Sequence, residues 1–197
     1  MNARTSHIIL ILSAFLAGLV LFAGVMLFAV GNFSGAGPSA VGGPFKLVDQ
    51  DGKPITEAAL KGHPSLVFFG YTHCPDICPT TLFELSEVLH ALGPDATKTE
   101  AFFISVDPDR DTPAVMKDYL SSFDPHLRGI TGSDQAIEAV EKEYRVYAKK
   151  VPTGKDGDYS MDHSAVVYLM DKQGRFVAPF SLNRKPEESA AELRKYM

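Results

Sequence analysis

Two cysteines and six histidines are the soft donors of this 197-residue chain. Cys74 and Cys78, the only cysteines, stand four apart in Cys74-Pro75-Asp76-Ile77-Cys78-Pro79. Such a pair has two uses. As a redox couple it forms and breaks a disulfide; as thiolates it binds a soft metal. The common redox motif carries two residues between its cysteines, and this one carries three. The wider spacing permits a disulfide, because a turn rather than a regular helix holds the pair. Each cysteine precedes a proline, and a pre-proline residue is pushed out of the helical region. Neither is expected inside a helix. Pro79 suits the first helical position, which predicts a helix from Pro79 to Leu92 with Cys78 near its N-cap. Leu82, Leu85, Val88, Leu89 and Leu92 give that helix an apolar stripe, and Gly93-Pro94 stops it. A cysteine at a helix N-terminus has its thiolate favoured by the dipole and by free N–H groups.

A metal site needs further ligands. His7 lies at the first apolar run, and His90 is about three turns down the helix from the cysteines. His63 and His126 sit beside prolines in loops. His73 is adjacent to Cys74, and adjacent side chains diverge. His163 is the better candidate. It follows a polar loop, opens a strand, and stands next to Asp162, a potential acceptor for its ring. Two thiolates and one imidazole make a three-coordinate set. Structural zinc is almost always four-coordinate, whereas thiolates favour Cu(I). With Cu(I) the set carries a net charge of about −1. Met161 is soft and close in sequence, but a methionine entering a strand is ordinarily packing. Asp107, Asp109 and Asp111 lack the Gly and distal Glu of an EF-hand loop. They read as a capped turn with solvated charges, from which Asp107 faces the cysteine turn.

Elements must position these groups. Ser65 to Gly70 is a continuous apolar run, as in the middle of a parallel sheet, and it ends at the cysteine turn. Ala101 to Val106 is a second such run, ending at the aspartate turn. Thr112 caps a helix that opens at Pro113. Before these stand a strand at Phe45 to Asp49, a turn, and a return at Pro54-Ile55, with Thr56 capping a short helix. After them come a strand at Leu127 to Thr131 and a helix from Ser133 to Tyr144. Val146 to Val151 is extended and Pro152 to Tyr159 reads as an exposed loop. His163-Ser164 leads into a strand at Ala165 to Met170, then a hairpin turn, a partner strand at Arg175 to Phe180, and a last helix from Pro186 to Tyr196. Strands alternating with helices, then a terminal hairpin and helix, predict an α/β sandwich around a central mixed sheet of thioredoxin-like order. Ligands of such sheets bind at the carboxyl ends of strands.

The first 43 residues differ from the rest. Ile8 to Val30 is a 23-residue stretch without a charge, and about 20 apolar residues span a bilayer. A cleaved signal has an apolar core of only about 7–15, so one transmembrane helix is expected, with a long signal sequence cut among Ser34 to Ala40 as the alternative. Arg4 is the only Lys or Arg before the span, which orients residues 1–7 to the cytoplasm. The absence of an Arg-rich leader favours a bacterial inner membrane, with the C-terminal domain periplasmic, over a mitochondrial one. Residues 31–43, rich in Gly, Ser, Ala and Pro, read as a tether, and 44–197 as one domain. The chain carries a net charge of −5, all its acids lying beyond the span. That balance argues against nucleic-acid binding. Two cysteines are too few for a disulfide scaffold.

Three stretches taken together, Gly70-Tyr71-Thr72-His73-Cys74-Pro75-Asp76-Ile77-Cys78-Pro79, Asp107 to Pro113, and Asp162-His163-Ser164, resemble the Sco/SenC family. Its members are membrane-anchored, thioredoxin-like copper proteins that help assemble cytochrome c oxidase. The resemblance spans about residues 43–197 and has no departure at the ligand positions. It implies copper bound as Cu(I) by Cys74, Cys78 and His163, with Cu(II) and a fourth ligand left open. Asp107 and Asp162 would be supporting residues. Oxidation would join Cys74 to Cys78. It also implies a fold without the cis-proline of redox members, whose place His163-Ser164 takes. The implied function is a metallochaperone delivering copper to the CuA site of oxidase subunit II. Such a protein depends on a thiol reductant and on a copper source that can be another chaperone. Two alternatives stay open: a thiol–disulfide oxidoreductase acting on the subunit II cysteines, with His163 dispensable, and a copper or redox sensor.

Overall fold

The computed structural model describes residues 3–32, 41–154 and 157–197, with side chains of the first segment described over 12–27. The chain divides into two compact units, Met1–Pro38 and Ser39–Met197. The first contains a single helix, α1 (Ala3–Asn32), 30 residues long. At about 1.5 Å per residue it is about 45 Å long, and its described side chains are exposed apolar residues such as Leu12, Phe15 and Leu27. Among the described residues no helix is long and apolar enough to cross a membrane. Most of the expected tether lies outside the described residues. Its last part belongs to the second unit: Val41 packs on the core, and the Gly42 amide donates to the Glu143 carbonyl at 2.9 Å.

The second unit is built on a seven-stranded mixed sheet. Its strands are β1 (Lys46–Asp49), β2 (Pro54–Thr56), β3 (Ser65–Gly70), β4 (Glu100–Ser105), β5 (Leu127–Thr131), β8 (Val167–Met170) and β9 (Phe176–Pro179), in the order β2-β1-β5-β4-β3-β8-β9. β3, β4 and β5 are parallel, and the flanking pairs are antiparallel. All six residues of β3 are buried. Helices cover both faces, which is why β3 and β4 show no polar alternation. On one face the Phe68 and Phe103 rings stack, and Tyr119 of α3 (Pro113–Leu120) packs on Phe103. α2 (Ile77–Leu92) lies on that face too, against α5 (Pro186–Leu193). On the other face Tyr144 of α4 (Asp134–Tyr144) meets Phe69 and Tyr168.

The capping expectations for α3 and α4 match their geometry: Thr112 accepts from the Val115 amide, and Ser133 from the Ala136 amide. α2 departs from expectation. It opens at Ile77, so Cys78 lies inside its first turn rather than at the cap. A first-turn N–H has no intrahelical partner, so Pro79 can stand third without losing a bond. Burial of the Cys78 side chain then outweighs the pre-proline preference. The larger departure is between residues 148 and 163. The segment read as an extended piece and a loop forms a separate hairpin, β6 (Ala148–Pro152) paired with β7 (Tyr159–His163). Its polar residues and tip glycines concealed the strands, and the last β7 residue is His163. Among the described residues no peptide bond is cis.

Candidate metal centre

β3 and β4 run in parallel with Gly70 opposite Ser105. Their carboxyl ends therefore lie side by side, one entering the cysteine turn and the other the aspartate turn. The cysteine turn is closed by the Cys74 amide donating to the Tyr71 carbonyl. Cys74 is half-buried and Cys78 is fully buried; both are free thiols. The Cys78 amide, an orphan donor of the first turn of α2, points at the Cys74 sulfur at 3.4 Å. Burial pushes the Cys78 thiol well above its ordinary range, and the neighbouring Cys74 and Asp111 push the same way. The dipole advantage expected for both sulfurs is thus overridden at Cys78.

His163 enters from the hairpin, opposite Ala148. Its Nε2 is 3.6 Å from the Cys78 sulfur. Its Nδ1 is 3.2 Å from the Ser164 carbonyl, an acceptor only, so Nδ1 carries the proton and Nε2 presents its lone pair. The ring stands edge-on to Tyr71, with centroids 5.7 Å apart, and 6.5 Å from Phe68. One donor atom each from Cys74, Cys78 and His163 lie within 4.8 Å of one another, and this is the one such group among the described residues. Metal–ligand bonds of about 2.0–2.3 Å in a trigonal set separate ligand atoms by roughly 3.5–4.0 Å. The 3.6 Å between the Cys78 sulfur and His163 Nε2 falls in that range, and two sulfurs with one imidazole suit a soft ion.

The remaining candidates fall elsewhere. His73 is exposed and its Nδ1 lies 3.1 Å from the Thr72 hydroxyl. His63 and His126 face Pro64 O and Asp124 Oδ1, and His90 is exposed. Met161 is buried and lines a cavity of about 260 Å3 with Val106, Ile137 and Glu141. Asp162 is exposed, while Met161 and His163 on either side of it turn inward. Successive strand residues point to opposite faces, so Asp162 is not the partner of its neighbour's ring; the Ser164 carbonyl is.

The aspartate turn reverses the expectation for Asp107. It is Asp111 that reaches the cysteine turn. Fully buried, Asp111 accepts from the Thr72 hydroxyl at 2.6 Å, the Thr72 amide at 3.1 Å and the Ser105 hydroxyl at 2.6 Å. Asp107, equally buried, turns instead toward the hairpin. It pairs with Arg110 Nε and accepts from the Tyr159 hydroxyl at 2.7 Å. Asp109 is exposed and pairs with Lys150. Sequence reasoning placed the aspartate turn beside the site but missed the roles of Asp111, Arg110 and Tyr159. The Asp-X-X-X-Asp spacing was the available signal for Asp111. Nothing local marks Tyr159, 52 residues from its partner.

The family model described as SCO1/SenC matches residues 34–197. A SCO2-like protein of Rickettsia felis is 41% identical over 150 residues, covering 75% of this chain and 73% of its own. The structure of Bradyrhizobium japonicum ScoI with copper bound is 66% identical, with a TM-score of 0.78, covering 80% of this chain and 99% of that one. Yeast Sco1 with copper bound is 40% identical, with a TM-score of 0.73, covering 81% and 88%.

Proposed function

The chain belongs to the SCO1/SenC family, and from that premise we propose that it is a membrane-anchored metallochaperone carrying Cu(I) on Cys74, Cys78 and His163. The observation that carries the proposal is the convergence of these three side chains, with His163 lying 85 residues beyond Cys78 in the sequence. Two relatives with the same fold are described with copper bound. The acceptor in this reading is the CuA site of cytochrome c oxidase subunit II, within the oxidase-assembly role of the family. Copper leaves by stepwise ligand exchange. The Cys74 sulfur is the accessible one, since Cys78 has no exposed surface; an acceptor thiolate therefore approaches from the Cys74 side. The 30-residue α1 and its uncharged stretch support a single inner-membrane anchor, with residues 1–7 cytoplasmic and the domain periplasmic.

A second reading has its own support. The Cys78 amide is aimed at the sulfur of Cys74, the more accessible cysteine, a pairing that a thiol–disulfide reductase of the acceptor would use. The two roles are compatible, because copper binding requires both thiols reduced, and in an oxidising compartment both depend on a separate thiol reductant.

An anaerobic Cu(I) titration of the reduced chain against a competing chelator tests the proposal. One copper per chain is expected, with His163→Ala weakening it tenfold or more, about 1.4 kcal/mol. Binding at the chelator's background, or indifference to the histidine, removes the metal reading and leaves the cysteines to a redox role.

A further inference from the structure

The two halves of the candidate centre come from parts of the fold that share no sheet. The cysteines sit at the β3–α2 junction. His163 sits on a hairpin whose strands pair only with each other. Something must set the distance between them.

Polar anchors of the hairpin converge on one turn, and the Tyr71 side chain adds a hydrogen bond to the Met161 backbone. Arg110 donates through Nη1 to the Tyr159 carbonyl at 2.9 Å, and its Nε pairs with buried Asp107. Its guanidinium carbon lies 3.8 Å from the centroid of the Tyr159 ring and 5.8 Å from that of the Tyr71 ring. The Tyr159 hydroxyl closes the loop on Asp107 at 2.7 Å. Lys150 adds an exposed pair with Asp109. Tyr159, Met161 and His163 alternate along β7 and share one face, so fixing Tyr159 fixes the tilt of the face that carries His163. The Tyr71 ring flanking Arg110 is also the ring that meets His163 edge-on. The same turn holds the other half of the centre through Asp111 and Thr72.

We propose that Arg110 is a positioning residue for His163: with Asp107 it fastens β7 to the turn after β4, while Asp111 fastens the cysteine turn to the same segment, so that this turn sets the separation of the imidazole from the two sulfurs. The inference rests on the copper-site reading for its significance, not for its geometry. Arginine is required because two nitrogens of one rigid plane serve Asp107 and the Tyr159 carbonyl together, while the plane stacks on a ring; a lysine ammonium meets one of these needs at a time. Arg110 Nη2 is buried without a hydrogen-bond partner among the described residues. That cost of burial is tolerated for the geometry of the other two nitrogens.

The test compares the unaltered chain with Arg110→Lys, which keeps a charge beside Asp107, and with Tyr159→Phe, which deletes one hydroxyl. The first readout needs no copper. Amide hydrogen exchange in the metal-free chain should accelerate at least tenfold across β6 and β7 in Arg110→Lys, and less in Tyr159→Phe, with β3 and β4 unchanged. The second is a Cu(I) affinity cycle. Arg110→Lys should weaken copper at least threefold when His163 is present and not at all in the His163→Ala background. Unchanged hairpin exchange in both variants overturns the proposal, as does an equal copper loss with and without the histidine. If the unaltered chain ignores His163 in binding copper, the metallochaperone reading fails while the exchange result still decides the role of Arg110. If Arg110→Lys does not fold, Tyr159→Phe carries both comparisons.

Discussion

An alanine at position 70 would place its Cβ 2.7 Å from the Cys78 sulfur and 2.7 Å from Phe103 Cε2. Real contacts do not reach that distance, and both neighbours are fully buried. The glycine ending β3 is therefore what allows the sulfur to lie under the strand. Gly70→Ala should cost about 1–3 kcal/mol of stability, the usual range for overpacking, and lower Cu(I) affinity by displacing one ligand. Urea unfolding and the chelator competition read the two effects; an unchanged affinity would mean the sulfur has room to move. The thiol itself sets a pH dependence. Because burial holds the Cys78 proton at neutral pH, copper must displace it, and apparent affinity should rise about tenfold per pH unit for that proton. A flat profile from pH 6 to 8 would show that Cys78 is already ionised or is not a ligand. Asp111 titrates in the same direction for the same reason. Burial raises its carboxyl above the ordinary range, against the Ser105 and Thr72 donors. The stability tied to that proton is present below the unfolded value near 4 and lost as pH rises through the folded value. Asp111→Asn lacks this titration, so the unaltered chain should lose ground to it as pH rises above about 4.

At the scale of elements, the hairpin carries what the sequence concealed. The cysteine turn, its following helix and the capped α3 were legible because proline, glycine and threonine act on their own neighbours. The hairpin was not, because the Tyr159-Ser160-Met161-Asp162-His163 run has one buried residue, and the partners of Tyr159 lie in a turn 49 and 52 residues earlier. Its strands are held by tertiary contacts rather than by an apolar pattern. The Asp162 expectation failed on strand geometry, which a strand beginning at residue 165 did not bring into play. On α4, Glu141 faces the cavity that Met161 lines, and burial, reinforced by Glu138, lifts its carboxyl to about 7. Its place near the helix C-terminus adds to the disfavour of the charge. The contribution is fully present below about 4.5 and gone above about 7. Glu141→Gln should therefore match the unaltered chain near pH 4.5 and exceed it by about 1 kcal/mol at pH 8, a figure reduced for partial exposure. Equal denaturation midpoints at both pH values would refute this.

At the scale of the molecule, the core belongs to one unit. Its buried residues run from Phe45 to Leu193, and Val41 is the first side chain packed against them. α1 contributes none of the described core residues, and its described side chains are exposed and apolar. Exposed leucines and phenylalanines along a long helix are costly in water, at about 25 cal/mol per Å2 of apolar surface. A bilayer removes that cost without any contact to the domain. Deleting residues 1–38 should therefore separate two properties that the intact chain combines. The thermal midpoint of the domain should move by less than about 2 °C, corresponding to under 1 kcal/mol, and one Cu(I) should still bind with unchanged affinity. Location should change completely: the full chain remains in the membrane pellet after a carbonate wash, and the shortened chain appears in the soluble fraction. A full chain released by carbonate would remove the anchor and favour cleavage among Ser34 to Ala40. A large fall in the midpoint would mean that the domain depends on the first unit, which the self-contained core argues against.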